Sequence, residues 1–126
     1  MVRIFFGDES EEETMIEASH LSKRYGEVTA LHDISFTCNE GSILGIIGHN
    51  GAGKTTLLKI LAGLITPSSG TLTIGGTDVL ADPMLVKNRL GYLPEESRLY
   101  ETMLVPDYLR FFGELYGLDA TTIHAR

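Results

Sequence analysis

The residues best suited to chemistry are consecutive: Gly48, His49, Asn50, Gly51, Ala52, Gly53, Lys54 and Thr55. They satisfy G-x-x-x-x-G-K-S/T, the phosphate-binding P-loop or Walker A motif, at every fixed position. Glycines at 48, 51 and 53 permit backbone conformations closed to residues with a side chain, so successive amide N–H groups can converge on phosphate oxygens. Lys54 adds a point charge for the outer phosphates, and Thr55 offers a hydroxyl to Mg2+. Thr56 stands beside it. Residues 55–64, with Leu57, Leu58, Ile60, Leu61 and Leu64, read as an apolar-rich helix whose positive N-terminal end would face the same anion. The expected contacts to a triphosphate are therefore Gly48, Asn50, Gly51, Ala52, Gly53, Lys54, Thr55 and Thr56, with Thr55 also serving the metal.

Other elements must position this loop. Residues 43–47 are a short apolar run bounded by glycines, which predicts a strand buried on both faces and running straight into the motif. Strand, P-loop and helix in that order is the context the motif requires. Upstream, 15–21 read as a strand and 23–27, carrying Gly26, as a turn. In 31–38, Ile34, Phe36 and Cys38 alternate with Ser35 and Thr37, the period of a half-buried strand. Downstream, 106–115 read as a helix whose broad apolar face holds Tyr108, Leu109, Phe111, Phe112, Leu115 and Tyr116, with Gly117 as its stop. That face serves either as core or as a partner groove. Leu104 stands where a capping threonine would help, leaving Pro106 and Asp107 as the start signals.

Composition narrows the class. The chain has 126 residues, 43% hydrophobic and 21% charged, which predicts one globular domain, and the strand, P-loop and helix read above make the expected class α/β. No apolar run approaches the roughly 18 residues of a membrane-spanning helix, and the N-terminal patch at 4–6 is too short for a secretory signal. A cytoplasmic protein is expected, and the single Cys38 fits a reducing compartment. Ten Lys and Arg against 17 Asp and Glu give a net charge of -7, which argues against a nucleic-acid partner held by a broad basic surface. Much of that acid is N-terminal: Asp8, Glu9, Glu11, Glu12, Glu13 and Glu17 face only Arg3. Residues 1–13 are expected to be a disordered acidic leader, or else an acidic docking tail.

Residues 31–76, LHDISFTCNEGSILGIIGHNGAGKTTLLKILAGLITPSSGTLTIGG, closely resemble the start of an ATP-binding-cassette (ABC) nucleotide-binding domain, and so does LGYLPEE at 90–96. The similarity extends over 14–118. It implies the P-loop NTPase fold of an ABC ATPase core with a small antiparallel β portion, residues 14–126 being the N-terminal part and the helical subdomain starting near 95. ATP and Mg2+ are the implied ligands. From the residues alone Tyr25 reads as a turn tyrosine packed on a neighbouring strand; the family stacks an aromatic residue on the adenine, and the resemblance makes Tyr25 the matching position. The family's glutamine loop follows a strand that matches 90–94, but the glutamine position holds Glu95. A carboxylate can still hold a metal-bound water, so Glu95 joins Thr55 as a candidate for the metal shell; Glu95 and Glu96 read equally as solvated turn charges.

The PEE at this place resembles the branch that exports drugs, ions or lipids. The resemblance implies a transmembrane transporter subunit met by the helical subdomain, a second ABC ATPase domain that sandwiches ATP, and a place on the inner face of the membrane. It also implies an LSGGQ signature, a Walker B strand ending in Asp-Glu and a switch histidine. After Glu96 neither of the first two occurs, and His124 lies too early to be the third. The complete domain is thus expected to hydrolyse ATP to drive transport, while the chain, truncated before signature and Walker B, is expected to be non-catalytic by itself. The alternatives are a non-catalytic nucleotide-binding fragment and a soluble ABC protein acting on ribosomes or DNA, which the acidic charge disfavours.

Overall fold

The computed structural model describes residues 3–5, 13–95, 100 and 102–125, in two compact units, Met1–Tyr92 and Leu93–Arg126. In the first unit a long hairpin leads: β2 (Thr14–Tyr25) pairs antiparallel with β3 (Val28–Asn39), after a short β1 (Arg3–Phe5). β4 (Gly45–Ile47), α1 (Lys54–Leu61), β5 (Ser69–Ile74), β6 (Thr77–Asp78) and α2 (Pro83–Lys87) follow. The main sheet runs β3-β2-β5-β6 and is antiparallel throughout.

The hairpin is longer than the expected strand at 15–21, and the expected turn at 23–27 shrinks to Gly26, at φ 57, and Glu27. A paired irregularity lets the ladder continue. His20 and Asp33 both sit at φ 53, where the register shifts between Ala18 and Leu21. Their amides are satisfied across the strands: His20 N–H donates to Ser35 Oγ at 2.8 Å, and Asp33 N–H donates to Ser22 Oγ at 2.9 Å. The two side chains meet at 2.6 Å between Nδ1 and Oδ1. The bulge adds one residue to the apolar step on each strand, Ala18 to Leu21 and Leu31 to Ile34, so those side chains stay on one face. Ile34, Phe36 and Cys38 share a face as the alternation predicts.

That face packs under α1. Leu57, Ile60 and Leu61 meet Ala18, Leu21, Leu31, Phe36 and Leu72, and Val79 and Val86 close the far side of the core. The helix ends at Leu61, earlier than the expected 64, and Leu58 and Leu64 are exposed. α2 was not legible as a periodic segment, yet Asp82 caps it by accepting from Leu85 N–H at 3.0 Å, with Pro83 opening the turn.

Three expectations need correction. The strand before the P-loop is not buried on both faces: β4 pairs antiparallel with β1, Leu44 and Ile46 turn to the core, and Ile43 and Ile47 are 85% and 60% exposed. A three-residue strand with one partner offers core contact on one face only. Part of the expected disordered leader, Arg3–Phe5, is that partner strand; the acidic residues 8, 9, 11 and 12 lie outside the described residues. Residues 90–94, expected as a strand, join no ladder among the described residues, and Leu93 is 85% exposed.

The second unit holds α3 (Val105–Leu115) and α4 (Ala120–Ala125). α3 begins at Leu104 without a side-chain cap, and Pro106 sits in its first turn. None of its residues is buried; its aromatics pack on one another, Tyr108 and Phe112 with ring centroids 4.6 Å apart. Asp119 caps α4 through the Thr122 amide and hydroxyl, both at 2.9 Å. Those bonds, the amide's first, hold the Asp119 carboxyl below the usual carboxylate range. A depressed folded pKa means that the cap stabilises α4 above the unfolded value and loses its effect as pH falls through the folded one. The Thr122 amide resonance is therefore expected to titrate below the ordinary Asp range. Titration at or above that range would refute the cap.

Candidate functional site

The P-loop joins two elements that the core holds in place. β4 delivers the chain at Ile47, and α1 starts at Lys54 without an intervening turn of helix. Gly51 at φ 80 and Gly53 at φ 94 make the reversal, and Ala52 N–H closes it by donating to His49 O at 3.1 Å. Gly53 is the N-cap of α1 and supplies no side-chain cap. The first intrahelical bond in the chain is Leu57 N–H to Gly53 O at 2.8 Å, so the N–H groups of Lys54, Thr55 and Thr56 have no acceptor within the helix. Three donors and the positive end of the helix dipole thus open on the loop, an arrangement suited to an anion.

Lys54 reaches back over the loop. Its Nζ donates to Gly48 O at 2.6 Å and to His49 O at 2.9 Å, which holds a positive charge on the loop. His49 Nδ1–H donates to Asn50 O at 2.8 Å. Gly48, Asn50, Gly51, Ala52 and Gly53 lie in the turn between β4 and α1, and Lys54, Thr55 and Thr56 open the helix. Gly53 also fastens it to the sheet: a Cβ there would collide with the Ala30 carbonyl oxygen and lie 2.7 Å from Leu31 Cδ2. Only a glycine allows β3 to approach so closely.

That approach creates a feature the motif does not announce, a cavity of about 470 Å³ between β3 and the loop. Thr29, His32, Asp33, His49, Gly51 and Ala52 are among its walls. The available signal was the His32-Asp33 interruption between apolar Leu31 and Ile34, a three-residue step where strict alternation has two. Tyr25 is not among those walls. It ends β2 with half its surface exposed, and Lys23 Nζ lies 5.1 Å from its ring centroid while donating to Thr66 O at 2.7 Å. One face of the ring is thus occupied by an ammonium group anchored to the loop after α1. Tyr25 is a strand end, not the turn residue that 23–27 implied.

The two candidate metal residues belong to different units, Thr55 to the first and Glu95, exposed, to the second. Among the described residues no group of three or more His, Cys, Asp and Glu could hold a metal ion. Thr55 supplies one hard oxygen, which fits Mg2+ only as an ion that brings most of its ligands with it, as it does on a triphosphate. Among the described residues no helix is long and apolar enough to cross a membrane.

The profile of the family described as ABC transporter matches residues 31–121. The chain is similar to the ABC transporter ATP-binding protein NatA of Bacillus subtilis, 42% identical over 117 residues, covering 89% of this chain and 48% of that protein. It is 45% identical over 108 residues to an uncharacterized ABC transporter ATP-binding protein of Methanocaldococcus jannaschii, covering 86% of this chain and 37% of that one. A probable multidrug ABC transporter ATP-binding protein of Escherichia coli, YbhF, is 39% identical over 106 residues, covering 84% and 18%. Among solved structures, the ATP-binding subunit of an ABC transporter superposes with a TM-score of 0.67 at 30% identity, covering 86% of this chain and 45% of that one. A putative ABC transporter ATP-binding protein from Pyrococcus furiosus gives 0.61 at 31%, covering 81% and 48%. The chain spans about half or less of the length of these relatives.

Proposed function

This chain belongs to the ABC transporter family of ATP-binding proteins, and on that premise we propose that it binds Mg-ATP at its P-loop as part of a subunit that powers transport across a membrane. The observation that carries the reading is the opening of α1: a helix start without a side-chain cap, preceded by a loop whose carbonyls at 48 and 49 hold the Lys54 ammonium. Backbone amides of 50–54 hold the phosphates, Lys54 spans the outer ones, and the Thr55 hydroxyl ligates Mg2+ with Thr56 beside it. Mg2+ supplies neutralisation of the phosphate charge; the residues of this chain position the triphosphate and concentrate positive field on it. In the complete protein that positioning serves hydrolysis, a second ATP-binding domain closes over the nucleotide, and a transmembrane subunit holds the assembly at the inner face of the membrane. The PEE sequence favours export.

Titration calorimetry tests the reading. Mg-ATP is expected to bind saturably and adenosine, which lacks the phosphates, not to bind; a folded chain that binds neither would end the proposal.

Tyr25 has a separate test, because stacking acts on the base alone. An aromatic pair contributes about 0.5–1.5 kcal/mol beyond burial. Tyr25→Ala is expected to weaken ATP about threefold to tenfold and to leave inorganic triphosphate unchanged, with Tyr25→Phe close to the parent. Equal losses for both ligands would show that Tyr25 supports the fold and does not hold the base.

A further inference from the structure

We propose that Asn50 is a site of spontaneous deamidation, driven by the same loop geometry that forms the anion cradle. Asn50 is exposed and is followed by Gly51, which has no side chain to hinder attack by its own amide nitrogen. The other asparagines, Asn39 and Asn88, precede Glu40 and Arg89. Attack requires that nitrogen to lose its proton, and the resulting negative charge spreads onto the carbonyl oxygen of the same peptide unit, Asn50 O. His49 Nδ1–H already donates to that oxygen at 2.8 Å. The Lys54 ammonium, held on the neighbouring carbonyls of Gly48 and His49, adds positive field at the same place. A group of donors arranged for anions therefore also stabilises the anion through which this peptide reacts.

The step balances without any oxidant. Hydroxide removes the Gly51 amide proton, the nitrogen forms a bond to Asn50 Cγ, and the bond from Cγ to the side-chain NH2 breaks, releasing ammonia after protonation by water. The five-membered succinimide then adds water and opens to aspartate or to isoaspartate, which lengthens the backbone by one atom. Either product puts a carboxylate in the loop, and isoaspartate also moves the amides that follow. The loss of phosphate binding that this implies rests on the function proposed above; the conversion itself does not.

The test is ageing of the purified chain at mildly alkaline pH, followed by trypsin and mass spectrometry. Cleavage after Arg24 and Lys54 leaves residues 25–54 in one peptide, so Asn39 is an internal control for Asn50. Conversion is expected at Asn50 ahead of Asn39, slowed about tenfold by His49→Phe, the low end of the range for one hydrogen bond to a charged group because the bond to the neutral carbonyl is already made. In urea the parent and His49→Phe chains should convert Asn50 at one rate, which separates an effect of native geometry from one of sequence. An Asn50 that stays intact, a folded His49→Phe chain that converts as fast as the parent, or a difference that persists in urea would each overturn the proposal.

Discussion

Lys54→Ala is expected to lower Mg-ATP affinity about tenfold to a hundredfold while leaving the melting temperature nearly unchanged. The ammonium now donates to Gly48 O and His49 O at the mouth of the loop. With a triphosphate present it exchanges those neutral acceptors for charged ones, and a hydrogen bond to a charged group contributes about 1.5–3 kcal/mol. Truncation removes that gain and, because the His49 bond is exposed and the Gly48 bond only part-buried, leaves no fully buried orphan to destabilise the fold. Calorimetry with Mg-ATP on both proteins, paired with a thermal melt, reads the two effects separately. Binding by a folded Lys54→Ala chain within about twofold of the parent would show that the amides alone hold the phosphates. Lys54→Arg is not expected to restore affinity, since a planar guanidinium cannot occupy the position of a compact ammonium.

The largest loss of stability is expected from Gly53→Ala. Two costs add there. A residue with a side chain at φ 94 is strained by about 1–2 kcal/mol, and a Cβ that meets the Ala30 carbonyl oxygen and Leu31 Cδ2 forces β3 away from the loop, at about 1–3 kcal/mol. The sum, about 2–5 kcal/mol, is a large share of the stability of a small domain. Gly51→Ala is the control. Its φ of 80 carries similar strain, but a Cβ there meets open space, so a cost of about 1–2 kcal/mol is expected. Urea unfolding of the two variants measures the difference directly. Equal midpoints would mean that the contact between Gly53 and β3 contributes nothing, and that the loop is held by its own conformation.

The pair of variants also marks where reading the chain stops. In sequence Gly51 and Gly53 stand for the same thing, freedom of the backbone in a phosphate-binding loop, and although the motif fixes only Gly53, nothing in the spacing tells what a side chain at either would meet. The fold does, because only Gly53 faces Ala30, a residue more than twenty positions earlier. Tyr25 is similar: its place before the P-loop is visible in the sequence, but the ammonium of Lys23 over its ring and the anchoring of that ammonium on Thr66 are not. The strand at 43–47 failed in a different way. An apolar run reports what a segment could bury, whereas the neighbours available decide what it does bury, and here β1 covers one edge and the core takes one face.

Local order along the chain determined the P-loop, the helix that follows it and the half-buried alternation of 31–38, because each depends on residues within a few positions of one another. It also determined the family, whose marks are contiguous. The paired bulge at His20 and Asp33, the cavity between β3 and the loop, and the antiparallel seat of β4 were decided only in three dimensions. Each is a contact between segments far apart in sequence, chosen by which surfaces remain to be covered once the hairpin and α1 have packed, and no period in a single stretch of chain encodes that choice.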